Sequence, residues 1–244
     1  MKITVIGAGV IGGNLASKLS AAGHDVQVAD ARGPEAVPAD VLESGARAAD
    51  LADAVQDRDV IILSIPFGRA AELAGLFAAV PDETVVVDTS NYYPHLNGHI
   101  DAVDNGQVES LWNAAQLGRP VVKAWNAALA ATQQTKGVPA GTPGRIAIPI
   151  AADSDEARRV AMRLVDDTGF DAFDAGALAD SWRQQPGTPA YCTELTLDDL
   201  EPALAAADRA EAPRTRDRLM ERFTALTSTP TLAEIVEMNR SAHR

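Results

Sequence analysis

Cysteine is almost missing: among 244 residues there is one, Cys192. A lone thiol closes no disulfide within the chain, which points to a reducing, cytoplasmic setting. Long apolar runs are missing too, and nothing approaches the roughly 18 residues of a membrane span. The apolar start, Met1 to Ile6, is cut at Gly7, too early for a signal-peptide core, and reads as a strand. Basic charge is in deficit, with 21 Lys and Arg against 34 Asp and Glu, a net charge of −13. That excess repels phosphate backbones and anionic bilayers, so neither nucleic acid nor a membrane is an expected partner. There is no GxSxG, no P-loop, no internal repeat and no low-complexity tract. His95 and His99 have the spacing of a helical zinc pair, but Pro94, Asn97 and Gly98 interrupt any helix there, so no metal is expected. Cys192 lacks any local signature of a catalytic thiol and reads as a packed one.

What is present is concentrated near the beginning. The β-branched run Ile3-Thr4-Val5-Ile6 has the profile of a strand buried on both faces of a parallel sheet. It leads into Gly7-Ala8-Gly9-Val10-Ile11-Gly12, a complete GxGxxG. A helical stripe of Ile11, Leu15, Leu19 and Ala22 follows, with Gly23 as its stop. A second strand, Val26 to Ala29, then ends at Asp30. In this context Gly7 permits a tight turn, Gly9 lets a pyrophosphate approach the backbone, and Gly12 lets helix and strand pack closely. The anion would rest on the N-terminus of the helix. The expectation is a dinucleotide site. Asp30 suits the free ribose hydroxyls of NAD, whereas Arg32 suits the 2′-phosphate of NADP, so both cofactors stay open.

Further strand signals fall at Asp59 to Ile65, Thr84 to Asp88, Val121 to Ala124, Arg145 to Ile150 and Phe170 to Phe173. Their alternation with helices predicts an α/β doubly wound parallel sheet of Rossmann type. Three loops should then border the cofactor: Ser64-Ile65-Pro66-Phe67, Thr89-Ser90-Asn91 and Trp125-Asn126-Ala127. Asp153 and Glu156 read as a capping pair for a helix buried through Ala157, Val160, Ala161, Leu164 and Val165. The character changes after Gly176. We therefore expect an NAD(P)-binding domain over 1–176 and a small, mainly helical extension over 177–244. That extension carries an acidic helix start after Thr196 (Asp198, Asp199, Glu201) and an apolar stripe of Leu219, Met220, Phe223 and Leu226. It is expected to complete the acceptor pocket or a homodimer interface. For the pocket, Trp182 and Tyr191 would supply flat faces, and Arg183, Gln184 and Gln185 would supply donors.

The segments GAGVIGGNLASKL, ADARGPE, ILSIPF, VVDTSNYY, VVKAWN, RIAIPIA and DAGALADSW resemble the NADP-dependent reductases of the deazaflavin coenzyme F-420. The resemblance covers roughly residues 1–182. It implies hydride transfer between NADP and a second redox cofactor. It also implies that Ala8, Gly9, Val10 and Ile11 hold the pyrophosphate, and that Asp30 and Arg32 face the adenosine ribose. Phe67 and Ala71 would line the cleft, and Asn126 would sit where the two rings meet. Such chemistry needs little acid–base help from the protein, because the cofactors carry it. Two other functions stand beside this one. The first is a reductase or dehydrogenase of a small carbonyl, hydroxy or imino compound, with Lys123 or Tyr191 as proton donor. The second is a non-catalytic NAD(P)-binding redox sensor.

Overall fold

The computed structural model describes residues 1–244. The short β-branched runs become β1 (Lys2–Ile6), β2 (Asp25–Ala29), β3 (Arg47–Ala48), β4 (Val60–Leu63), β5 (Val85–Asp88) and β6 (Val122–Lys123). They pair in parallel in the order β3-β2-β1-β4-β5-β6. Strand alternation feeds two cores. Ile3, Val5, Val60, Ile62 and Val87 pack on one face with Leu15, Leu19 and Trp125. Ile6, Ile61, Leu63 and Val86 pack on the other with Phe77 and Leu117. Burial on both faces is what a doubly wound parallel sheet requires. The strand order reverses between β1 and β4, and a ligand crevice belongs beyond the carboxyl ends of the strands at that reversal.

The first helix, α1 (Val10–Ala21), buries Gly12, Gly13, Leu15, Ala16 and Leu19. Ala22, expected on this stripe, is exposed just past the last turn. Next come α2 (Glu109–Leu117), α3 (Ala130–Thr135) and α4 (Asp155–Asp167). The cap of α4 is Ser154 rather than Asp153: Ser154 Oγ accepts from the Ala157 N–H at 3.3 Å. Asp153 is used elsewhere, accepting from the Leu178 N–H at 2.9 Å. The last two strands, β7 (Ala147–Ile150) and β8 (Asp171–Asp174), do not extend the main sheet but form a parallel pair of their own. The reason is local. The backbones of Lys123 and Ala151 exchange two hydrogen bonds, at 2.8 and 3.0 Å, in an antiparallel bridge that occupies the edge of β6.

Residues 177–244 form a 3₁₀ segment (Leu178–Gln184) and three helices, α5 (Leu197–Ala205), α6 (Ala212–Thr224) and α7 (Leu232–Ser241). Leu200 and Leu204 of α5 pack on Ala147, beside Phe173. The guanidinium of Arg216 on α6 lies 5.5 Å from the Tyr92 ring centroid. The apolar stripe of α6 is only partly covered, with Phe223 39% exposed and Leu226, just past the end of the helix, 43% exposed. No helix is long and apolar enough to cross a membrane.

Candidate active-site cleft

A cleft of about 870 Å³ opens along the carboxyl ends of β1, β2, β4 and β5. Its floor is the glycine turn. Gly7 has φ +104°, and a Cβ there would meet the Ser64 carbonyl oxygen at 2.1 Å. A Cβ on Gly12 would fall 1.9 Å from the Gly7 carbonyl oxygen, so Gly12 is a packing residue beneath the cleft rather than part of its lining. Gly9 differs from both: nothing lies within 4 Å of its would-be Cβ. It caps α1 without any side-chain hydrogen bond, above first-turn N–H groups that have no partner within the helix. Open space over free donors at a helix start fits a pyrophosphate.

At the β2 end, Asp30 accepts from the Ala8 N–H at 3.3 Å, the Arg32 N–H at 3.0 Å and the Arg32 Nε at 2.8 Å. The hydrogen bond from the Arg32 side chain is the main reason its carboxyl is held at about 2. Arg32 itself is 72% exposed over the mouth. In the middle, Ser64, Ile65, Pro66 and Phe67 follow β4 and line the cleft. Phe67 is wedged against Trp112 and Tyr92, with both ring centroids 5.3 Å away. Ala71, expected beside Phe67, is exposed and outside the lining. One turn of 3₁₀ helix places Arg69, Glu72 and Leu73 there instead, and Arg69 Nη2 donates to Glu72 at 2.6 Å.

Beyond β5, Thr89, Ser90 and Asn91 enter the cleft on a buried polar scaffold. Ser90 Oγ and N–H donate to Asp88 Oδ1 at 2.6 and 3.0 Å, and Lys123 Nζ donates to Asp88 Oδ2 at 3.0 Å. Asn113 Nδ2 donates to Ser90 Oγ at 2.9 Å. Lys123 has no exposed surface and does not reach the cleft, so it holds the Ser90 loop rather than donating a proton. Asn126, expected at the ring junction, is 2% exposed and stands behind Asn91. Its Nδ2 donates to Asn91 Oδ1 at 3.1 Å and to the Gln184 carbonyl at 2.8 Å. Its own Oδ1 accepts from Gln184 Nε2 at 2.9 Å. The Asn126 amide is thus consumed by Gln184 and Asn91, whereas Gln184 Oε1 is buried without a partner.

Trp182 is not in the cleft either. The guanidinium groups of Arg183 and Arg209 lie 5.4 and 5.8 Å from its ring, so two arginines of the tail itself flank its flat surface. The far wall comes from residues that motif reasoning missed: Tyr93, Leu96 and Asn97. The sequence signals for Tyr93 are its place just after the Thr89-Ser90-Asn91 loop and at the end of the VVDTSNYY segment, neither of which gives it a role. Its hydroxyl donates to Tyr191 Oη at 3.1 Å, and burial raises the pKa of both phenols. Burial also pushes the Cys192 thiol up to about 12. His99 pairs with Asp104 at 2.9 Å, and His95 packs edge-on against Tyr93.

Beneath Tyr93, Glu109 is 3% exposed and accepts from the Tyr92 N–H at 3.1 Å. Burial pushes it up to about 7 from the ordinary 4.5. Between these pH values the folded chain holds a proton that the unfolded chain has released, so stability falls as pH rises from 4.5 to 7. Glu109→Gln removes that proton linkage. Thermal melts from pH 4 to 8 should show a flatter profile and a gain of about 2 kcal/mol at pH 8.

Residues 2–92 match the family described as NADP oxidoreductase, coenzyme F420-dependent. The protein YjhV of Escherichia coli (strain K12) is 40% identical over 104 residues, covering 43% of this chain and 76% of YjhV. The chain belongs to this family. It is an NAD(P)-dependent oxidoreductase of Rossmann fold. A hypothetical protein of Sinorhizobium meliloti, SMa0349, superposes with a TM-score of 0.67 at 29% identity, over 80% of this chain and 95% of its own. A protein of Arthrobacter sp. FB24, provisionally described as an F420-dependent NADP reductase, shares the fold at 22% identity with a TM-score of 0.57, over 74% and 87% of the two chains. The stretch that matches the F420-dependent family carries the glycine turn, Asp30, Arg32 and the Ser64 and Ser90 loops, and ends at Tyr92. Tyr93, Asn126 and the C-terminal helices lie outside it.

Proposed function

We propose that the protein passes hydride between the nicotinamide of NADP and an uncharged carbonyl or imine carbon held at the Asn91–Tyr93 end of the cleft. The distribution of charge carries this reading. Four charged side chains border the cleft, and they neutralise one another in pairs, Asp30 with Arg32 and Arg69 with Glu72. The end built by Asn91, Tyr93, Leu96 and Asn97 carries no charge. An anionic acceptor finds no free cation there, in a protein already at −13.

The residues that would hold the dinucleotide are Gly7 to Ile11 at the pyrophosphate, Asp30 and Arg32 at the adenosine ribose, and Ser64 to Phe67 along the middle. The cofactor supplies the hydride. Delivery to a carbonyl carbon leaves charge on oxygen, which needs a proton. The Tyr93 phenol, kept protonated by burial, would supply it by turning its O–H from Tyr191 Oη to the substrate oxygen. At the other end, Arg32 can leave Asp30 for a 2′-phosphate, whereas NAD would have to compete with Arg32 for the carboxylate.

Two measurements test this. In turnover assays, NADPH should reduce neutral ketones or imines, and Tyr93→Phe should lose roughly 100-fold in kcat with NADPH affinity and Tm retained. In calorimetry, Arg32→Ala should weaken NADPH about tenfold and leave NADH unchanged. Hydride exchange with coenzyme F-420 is the second reading, favoured by the family match itself. Turnover with the deazaflavin alone would replace the first reading with this one. Cofactor binding with no acceptor turned over would indicate a sensor.

A further inference from the structure

Behind Tyr93 lies a second, half-open cavity of about 150 Å³, lined from α6, from α7 and from the Tyr191 segment. Its walls include Tyr191, Leu219, Met220, Ile235 and Met238. Tyr93 is common to both spaces, bordering this cavity and the dinucleotide cleft. The family match ends before any of these residues, so nothing about the matched stretch accounts for the chamber.

The chemistry of the walls selects the occupant. The two phenols are bonded to each other at 3.1 Å. Arg216, the one charged residue at the margin, has its guanidinium tied to Asp217 at 2.8 Å and laid over Tyr92. Asn239 is the remaining polar residue of the lining, and its Nδ2 donates to the Ile235 carbonyl at 2.9 Å, so few polar atoms are left to hold the two to four bonds that an ordered water needs. A void of roughly 150 Å³ with apolar walls is the size that takes a single six-membered ring. Two methionines among the walls add a surface that adapts to rings of different outline.

We propose that this chamber receives an aryl or branched-alkyl group of the hydride acceptor, whose reacting carbon lies on the cleft side of Tyr93. The proposal rests on the reading that the acceptor is a neutral carbonyl or imine, and it adds the hydrophobic substituent that such a substrate must carry. Apolar burial in the chamber would then position the carbonyl against Tyr93 without any charged contact.

Fluorobenzene, followed by ¹⁹F NMR with the full chain, probes the chamber without turnover. It should bind saturably. Met220→Trp and Met238→Phe, which fill the space from α6 and from α7, should each weaken it tenfold or more with NADPH affinity and Tm unchanged. Absence of saturable binding, or binding indifferent to both substitutions, overturns the proposal. So does a wild-type dimer that excludes fluorobenzene and that Phe223→Ser splits into monomers, because a second copy would then fill the site. Reduction of 4-phenylbutan-2-one separates this inference from the function it rests on. If fluorobenzene binds but no ketone is reduced, the proposed function fails and the chamber stands. If the ketone is reduced with the same KM by wild type and Met220→Trp, the function stands and the chamber assignment fails.

Discussion

Gly9→Val should abolish dinucleotide binding while leaving the fold intact. At Gly9 the backbone sits at φ −69° and ψ −177°, which any L-residue adopts, and its would-be Cβ meets nothing within 4 Å. The free protein therefore has no steric reason to object. The added carbons occupy the space above the α1 donors into which a pyrophosphate would settle. We expect a loss of about 3 kcal/mol or more in NADPH binding, at least 100-fold by calorimetry, with Tm within a degree or two of wild type. The neighbouring glycines make the control. Gly12→Ala drives a methyl into the Gly7 carbonyl at 1.9 Å and should fail by unfolding rather than by losing ligand. A Gly9→Val protein that binds NADPH normally would remove the glycine turn from the site.

The second large effect is expected at Lys123. Removing its ammonium leaves Asp88, whose side chain is 3% exposed, as a buried carboxylate without a counter-ion, held only by Ser90 and Asn113, and frees the Ser90 carbonyl as well. Breaking a buried pair from one side costs about 3–5 kcal/mol. Lys123→Met should thus lower Tm severely in urea and thermal melts. The double variant Lys123→Met/Asp88→Leu should recover most of the loss, because it leaves no charge uncompensated. If the double variant were no more stable than Lys123→Met alone, the Ser90 loop would depend on the charges themselves and not on the avoidance of an orphan.

The sequence made the first half of the cleft readable because its logic is local. Gly7, Gly9, Gly12 and Asp30 lie within one strand–helix–strand unit, and the spacing alone determines where they meet. The far half depends on contacts across the chain that no periodicity encodes. Trp182 was read as a pocket wall for its flat face, but Arg209, 27 residues on, takes that face. Asn126 follows β6 at the expected place, yet Asn91 stands between it and the cleft and Gln184 closes over it. β7 has the composition of another sheet strand, and only the bridge between Lys123 and Ala151 diverts it. Asp153 and Ser154 are both good caps, and the choice between them was made by Leu178, in a distant segment.

The knot of amides at Asn126 has one more consequence. Asn91 Nδ2 donates to the Asn126 carbonyl at 3.0 Å, Asn126 bonds Gln184, and Gln184 Nε2 donates to the Pro149 carbonyl at 3.1 Å. Four stretches of chain, after β5, after β6, within β7 and in the 3₁₀ segment, are therefore spliced around the buried side chains of Asn126 and Gln184. The path from the tail to Asn91 is two hydrogen bonds long and does not cross the sheet. Cutting the splice at Gln184 should therefore also change how firmly the cleft holds its ligand, which NADPH calorimetry on Gln184→Ala checks.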